Sequence, residues 1–271
     1  MKFADLHLHT VFSDGTYTPQ ELVAESARAG LSAIAITDHD TVDGIPAAAA
    51  AAEKKNIEFL PGIELTVEYK GIEIHLLGYL IDYKSPRLLE KLKILRNNRI
   101  ERIYKITDKL KNMGVTLKPE AVFAIAGGGT VGRLHIARAM VREKLVNSIY
   151  DAFRTYIGDK CPAYVLGFRL SPQEAIKILK DAGGIPVLAH PYIMNNDELI
   201  SEFSGFGLMG VEVYYPEHTQ GMINHYLDIA KKCNLLVTGG SDYHGEAKPN
   251  VKIGSMKVSY ELVEKLKRAK I

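Results

Sequence analysis

Phe3-Ala4-Asp5-Leu6-His7-Leu8-His9 opens the chain with apolar and polar side chains in alternation. A side-chain period of two is the signature of a strand. On a strand, His7 and His9 project from the same face, so both imidazoles reach one point beyond its end. Two neutral imidazoles on one rigid element make half a metal site. A lone His-x-His pair is as readily two satisfied core or surface histidines, so the reading depends on further ligands elsewhere.

Outward from this strand, Thr18-Pro19-Gln20-Glu21 is a capping-box start for a helix running to Ala29 and closed by Gly30. Ser32–Thr37 reads as a short buried strand ending in Asp38-His39-Asp40, and an Ala-rich helix follows from Ile45 to Lys55. Ile57–Tyr69 is a third strand carrying Glu64. After the turn Lys70-Gly71, Ile72–Gly78 is a fourth carrying His75. Strands alternating with helices across short loops predict a parallel α/β arrangement.

The texture changes at Ser85. Pro86–Met113 places Leu88, Leu92, Leu95, Ile103, Ile106 and Leu110 at helical spacing, and Thr130–Val141 and Asn147–Ile157 read as further helices. Residues 85–165 are expected to be a helical insertion, a cap, with residues 1–84 and 166–271 forming the barrel domain. Gly127-Gly128-Gly129 lacks the Lys-Ser/Thr ending of a phosphate loop and reads as a turn. The α/β rhythm resumes at Ser171-Pro172-Gln173-Glu174, a second capping box. Short strands then end in His190-Pro191, run through Met209–Val213, and end before Ser241-Asp242-Tyr243-His244-Gly245.

The 271 residues are 46% hydrophobic, enough for a full-size core. Lys and Arg number 34 against 32 Asp and Glu, so no global basic field points to nucleic acid. The two cysteines, Cys161 and Cys233, provide neither a disulfide framework nor a thiolate zinc site. No apolar run approaches membrane-spanning length, and the chain enters its first strand directly. A soluble cytoplasmic protein with no membrane and no stable protein partner is expected.

Candidate ligands recur at strand ends: His7, His9 and Asp14, then His39, Glu64, His75, His190, Asp242 and His244. That edge is where α/β folds assemble their sites. Imidazole and carboxylate without thiolate suit Zn, Mn or Fe rather than a structural zinc. Nine candidates exceed the needs of one ion and point to two or three divalent ions sharing a bridging carboxylate. Asp5, Asp38 and Asp40 flank the histidines and are candidate acceptors orienting imidazoles, with Asp38 and Asp40 equally open to capping or solvation. His225, mid-helix, reads as structural, and His218 as a loop residue.

His7-Leu8-His9, Thr37-Asp38-His39, Gly62-Ile63-Glu64, His75, Ala189-His190-Pro191 and Ser241-Asp242-Tyr243-His244-Gly245 together resemble the ordered motifs of the PHP (polymerase and histidinol phosphatase) superfamily. The resemblance implies a distorted (β/α)7 barrel with a trinuclear metal centre. It implies a first ion held by His7, His9, Glu64 and Asp242. Glu64 would bridge to a second, held with His75 and His190. Asp14, His39 and His244 would hold the third. Asp14 stands where some relatives place His.

Gly132–Arg138, Asp151-Ala152-Phe153 and Cys161–Val165 resemble the branch containing nucleoside 3′,5′-bisphosphate phosphatases and 5′→3′ exoribonucleases of short RNA, with Leu134 where Pro is common. This resemblance implies a substrate-phosphate pocket of Arg133, His135 and Lys160, where a guanidinium forks onto phosphate oxygens. The expected reaction is phosphomonoester hydrolysis by metal-hydroxide attack on nucleotides or short oligonucleotides. Catalytic duty falls on Asp242, with His190, His244 or a water delivering the leaving-group proton. The alternatives are a histidinol-phosphate phosphatase, which needs no such insertion, and a non-catalytic metal-binding regulatory module, against which the complete ligand set argues.

Overall fold

The computed structural model describes residues 2–270. In chain order its elements are β1 (Phe3–Leu8), α1 (Pro19–Arg28), β2 (Ala33–Ile36), α2 (Ile45–Lys54), β3 (Glu58–Tyr69) and β4 (Ile72–Tyr79). Then come α3 (Pro86–Asn112), α4 (Pro119–Ala126), α5 (Arg133–Arg142), α6 (Ile149–Ala152) with a π-helical turn at Phe153–Ile157, and α7 (Pro172–Asp181). The chain finishes with β5 (Ile185–Leu188), α8 (Glu198–Gly205), β6 (Gly210–Tyr214), α9 (Gln220–Lys232), β7 (Leu236–Gly239), β8 (Val258–Ser259) and α10 (Tyr260–Ala269). Both capping boxes form as the sequence predicts, with Thr18 and Glu21 closing α1 and Ser171 and Glu174 closing α7.

The strands make one sheet in the order β7-β6-β5-β4-β3-β2-β1-β8. It curls into a nearly closed, distorted barrel. At its seam Leu8 bridges Tyr243 in parallel, and the His9 N–H donates to the Tyr243 carbonyl at 3.0 Å. Gly240 makes the seam possible, since a Cβ there would lie 2.4 Å from the His7 nitrogen. The other end of the seam is covered by β8, antiparallel to β1. Among the described residues, no helix is long and apolar enough to cross a membrane.

The sheet departs from the parallel arrangement expected on sequence. β1-β2-β3 and β5-β6-β7 are parallel, but β4 runs antiparallel to both β3 and β5. The cause is local. Lys70 and Gly71, both at positive φ (53° and 80°), make a two-residue turn that folds β4 straight back onto β3. His75 therefore lies mid-strand rather than at a strand end.

Between β4 and β5 the chain is helical. The apolar stripe predicted on α3 is buried along its length, but it faces two places. Leu88, Leu92 and Leu95 join the barrel's core with Ile63, Leu65 and Phe203. Ile103, Ile106 and Leu110 instead join a separate core with Val122, Ile136 and Met140. Each such side chain contributes about 1.5–3 kcal/mol on burial, so one helix is anchored at both ends. The sequence reading overlooked α4, which Gly127 ends in the left-handed region (φ 58°). The triple glycine is thus a turn.

Candidate metal centre

β1 delivers His7, and His9 lies just past its end. His39 follows β2, and its backbone bridges that of Glu64 inside β3. His75 comes from β4, His190 follows β5, and Asp242 and His244 follow β7. Five of the imidazoles converge on Glu64. Its Oε2 lies 3.2 Å from His7 Nε2, 3.1 Å from His9 Nε2 and 3.3 Å from His39 Nδ1. Its Oε1 lies 2.9 Å from His75 Nδ1 and 3.1 Å from His190 Nε2.

Three groups have ligand atoms within 4.8 Å of one another: His7, His9, Glu64 and Asp242; His9, Asp14, His39 and His244; and His39, Glu64 and His75. His190 touches Glu64 but falls outside these groups. Asp14 Oδ1 lies 3.2 Å from His244 Nε2 and Oδ2 lies 3.8 Å from His39 Nε2.

The donor set fits divalent cations. His9 Nε2, His39 Nδ1, His75 Nδ1 and Asp14 Oδ1 are buried without a hydrogen-bond partner, an expensive arrangement unless something binds there. Burial would push the three carboxylates up, yet the surrounding imidazoles, and Lys248 at Asp242, outweigh it and hold Asp14, Glu64 and Asp242 well below the usual carboxylate range. Burial likewise disfavours charge on His9 and His75, but their carboxylate partners push both up to about 9. His39, in contrast, is held well below its ordinary value, chiefly by burial. The cavity thus attracts positive charge, which divalent ions supply while displacing imidazole protons.

The His7 imidazole is oriented by a residue that sequence reasoning missed. Glu212, fully buried in β6, accepts from His7 Nδ1 at 2.9 Å and from the His190 backbone N–H at 2.8 Å. With Nδ1–H committed, His7 Nε2 turns its lone pair to the site. The signal was a lone acid between Val211 and Val213, because a carboxylate in a buried strand needs a partner. Asp5, Asp38 and Asp40 bond no imidazole directly, although Asp38 holds the Ser13 hydroxyl that meets His9 Nδ1. Asp5 accepts backbone N–H groups of His7, Ser241 and Gly254 across the seam. Asp38 accepts Thr10 N–H and the hydroxyls of Thr10 and Ser13, holding the loop after β1. Asp40 accepts from Arg99 Nε at 2.7 Å, tying α3 to the barrel.

His190 and Asp242 both have positive φ (25° and 52°). His190 also precedes Pro191, which disfavours such backbone further. Strain of this kind, about 1–3 kcal/mol per residue, persists where surrounding bonds over-determine the geometry. Here Glu212 grips the His190 N–H, and Asp242 Oδ2 accepts from Tyr215 Oη at 2.9 Å and Lys248 Nζ at 2.6 Å.

Two cavities meet at His75, His190 and Ile193. One, of about 550 Å³, is lined by Arg133, Lys160, Glu73 and Asp159. The other, of about 370 Å³, holds Asp14, His39, Glu64, Asp242 and His244 under Leu134, Ile149 and Phe153, with Lys248 at its side. Arg133 is held by Asp159 at 2.6 Å and Glu73 at 3.2 Å. His135 does not share this chamber. It is buried, accepts the Gly132 N–H on Nδ1 at 3.1 Å, and lines a different cavity beside the triple glycine. The two positions fall on different faces of α5: Arg133 shares a chamber with His75 and His190, whereas His135 packs beside the loop after β1, close enough to Asp14 to feel its charge. His218 is buried with Nδ1 on the Val213 carbonyl, and exposed His225 pairs with Asp197.

The PHP domain family matches residues 5–156. The chain is 31% identical over 263 residues, 92% of its length and 90% of the relative's, to a 3′,5′-nucleoside bisphosphate phosphatase of Chromobacterium violaceum. It is 33% identical to a 5′-3′ exoribonuclease of Haemophilus influenzae, covering 89% of each chain. A candidate metal-dependent phosphoesterase from Bifidobacterium adolescentis has the same fold, with a TM-score of 0.92, 31% identity, and 99% and 96% of the two chains covered. With the ordered ligands, the curled sheet and these relatives in agreement, the chain belongs to the PHP family of metal-dependent phosphoesterases.

Proposed function

We propose that this hydrolase removes phosphate from nucleotides carrying more than one phosphate, nucleoside 3′,5′-bisphosphates foremost, and that it shortens 5′-phosphorylated RNA fragments from that end. The observation that carries this reading is the pair of joined chambers, one with the metal ligands and one with Arg133 and Lys160. Such a pair gives one anionic group a place at the reacting centre while a second is gripped nearby. The names borne by the Chromobacterium and Haemophilus relatives agree with it.

His7, His9, Glu64 and Asp242 would hold one ion, His9, Asp14, His39 and His244 another, and His39, Glu64 and His75 a third. Bound Mn, Fe or Zn would supply Lewis-acid stabilisation of the phosphoryl oxygens and a nucleophile at neutral pH. Glu212 fixes the tautomer of His7. Arg133, steadied by Glu73 and Asp159, forks onto the distal phosphate, with Lys160 at the same wall. Leu134, Ile149 and Phe153 roof the reacting chamber and exclude water. Of the imidazoles expected to protonate the leaving oxygen, His190 lies outside the three ligand groups, and we assign the proton to it. Residues 85–165 act as the cap that sets substrate size. Both cysteines are free thiols, which agrees with a cytoplasmic enzyme.

The test is phosphate release from adenosine 3′,5′-bisphosphate, 5′-phosphorylated RNA trimers and histidinol phosphate, side by side with Mn²⁺. Nucleotide turnover at least tenfold above histidinol phosphate is expected. Turnover of histidinol phosphate alone refutes the assignment.

A further inference from the structure

Between α3 and the barrel lies a small cavity of about 20 Å³, separate from the two chambers above and lined by Asp40, Thr66, Arg99, Arg102, Gly167 and Arg169 among others. Three guanidinium groups face it against one carboxylate. Arg99 is fully engaged, by Asp40 Oδ2, Thr66 Oγ1 and the Val131 carbonyl. The other two are not. Arg102 is only 8% exposed and gives Nε to the Val165 carbonyl at 2.7 Å, yet its Nη2 is buried without a partner. The Arg169 side chain is 6% exposed and gives Nη2 to Glu73, while its Nε is likewise buried and unpartnered. Gly167 lies close over Arg102, where a Cβ would come within 3.1 Å of its Cδ. The crowded like charges leave their mark: burial, with Arg169 and Arg133 beside it, pushes Arg102 down to about 9.

We propose that this cavity is a binding site for a small monovalent anion of halide size, accepting from Arg102 Nη2 and Arg169 Nε. Two arguments select that ligand class. Charge comes first, since buried cations persist where a counter-charge meets them: Arg99 has Asp40 and Arg169 has Glu73, but Arg102 meets only the Val165 carbonyl. An acceptor-only ligand satisfies two orphaned donors without needing acceptors for hydrogens of its own, as a water would. Size comes second, since about 20 Å³ accommodates a single water-sized species, too little for a tetrahedral oxyanion. A bound anion would neutralise the contact between α3 and the segment 167–169, joining insertion to barrel within two residues of His75 through Glu73.

The test uses bromide as probe on the metal-loaded protein. Crystals soaked in sodium bromide should show an anomalous peak between Arg102 and Arg169. In solution at fixed ionic strength, replacing sodium gluconate by sodium bromide should raise Tm saturably, by roughly 5 °C or more at a hundredfold excess over Kd. Arg102→Gln should abolish that rise, while Arg87→Gln on the exposed surface should keep it. No anomalous peak at this position overturns the proposal. So does a bromide response of equal size in Arg102→Gln. Should that variant not fold, the wild-type anomalous map decides alone.

Discussion

Replacing Glu212 by Gln removes one charge from a fully buried carboxylate that serves two donors, His7 Nδ1 at 2.9 Å and the His190 N–H at 2.8 Å. Gln keeps one oxygen. If that oxygen stays on His7, the amide NH₂ meets the His190 N–H donor to donor. If the amide turns over, His7 Nδ1–H loses its acceptor and the ring is free to take the other tautomer. One hydrogen bond to a charged group, about 1.5–3 kcal/mol, is lost in either case. For a chain of this size that corresponds to a fall in Tm of roughly 4–10 °C. The metal side carries its own magnitude. Groups that orient a ligating imidazole are worth about 10–100-fold in metal affinity, or roughly 1.4–2.8 kcal/mol. Both are measurable on one preparation, by calorimetric unfolding of the chelated protein and by electron paramagnetic resonance of free Mn²⁺ during titration. The expected result is that Mn²⁺ affinity falls tenfold or more beyond any change in the chelated protein's Tm. Affinity within twofold of wild type alongside a lowered Tm would refute the reasoning and leave Glu212 as a strand-packing residue only.

Lys248→Met should raise KM for nucleotide substrates about tenfold while Mn²⁺ content stays at the wild-type level, since Lys248 lines the reacting chamber as a cation; a parallel loss of bound Mn²⁺ would mean that it acts through its bond to Asp242 instead. Chelation should abolish turnover and lower Tm, with both restored by Mn²⁺; at a hundredfold excess over Kd the ion contributes about 2.7 kcal/mol, and a Tm indifferent to metal contradicts the ligand assignment. Glu58 is held below its ordinary value of 4.5 because Lys267 and Tyr260 outweigh its burial. Its contribution is therefore present above that value and lost as pH falls through the lower folded-state one. Glu58→Gln should accordingly cost under about 1 kcal/mol at pH 7, and in thermal unfolding the difference should shrink as pH falls below 4.5 and vanish once Glu58 is protonated in the folded protein.

The sequence revealed much of this because strand periodicity and capping boxes are local signals. His7-Leu8-His9, Asp38-His39 and Asp242-Tyr243-His244 sit beside short apolar runs that read as strands, and the structure brings them together. The β4 reversal is half visible, since Lys70-Gly71 reads as a turn while the direction of the strand after it depends on pairing with β3. Glu212 and Lys248 carry no spacing signal, because what matters is a partner across the barrel rather than a neighbour in the chain. Asp5, Asp38 and Asp40 show the reverse error. For Asp38 and Asp40, adjacency to His39 says little, because neighbours along extended backbone point to opposite faces; Asp5 shares a face with His7 but spends its oxygens on backbone N–H groups of the seam.

The seam between β1 and the end of β7 has a further consequence, for the order of events in folding. It joins the first strand of the chain to residues that emerge near its end, with Leu8 against Tyr243 and Asp5 gripping Ser241 and Gly254. The group His7, His9, Glu64 and Asp242 therefore cannot exist until the chain has emerged past Asp242. Loop closure over such a separation is entropically slow. A divalent ion captured there would act as a clasp on the closing barrel, so refolding rate and final barrel closure should both depend on metal supply.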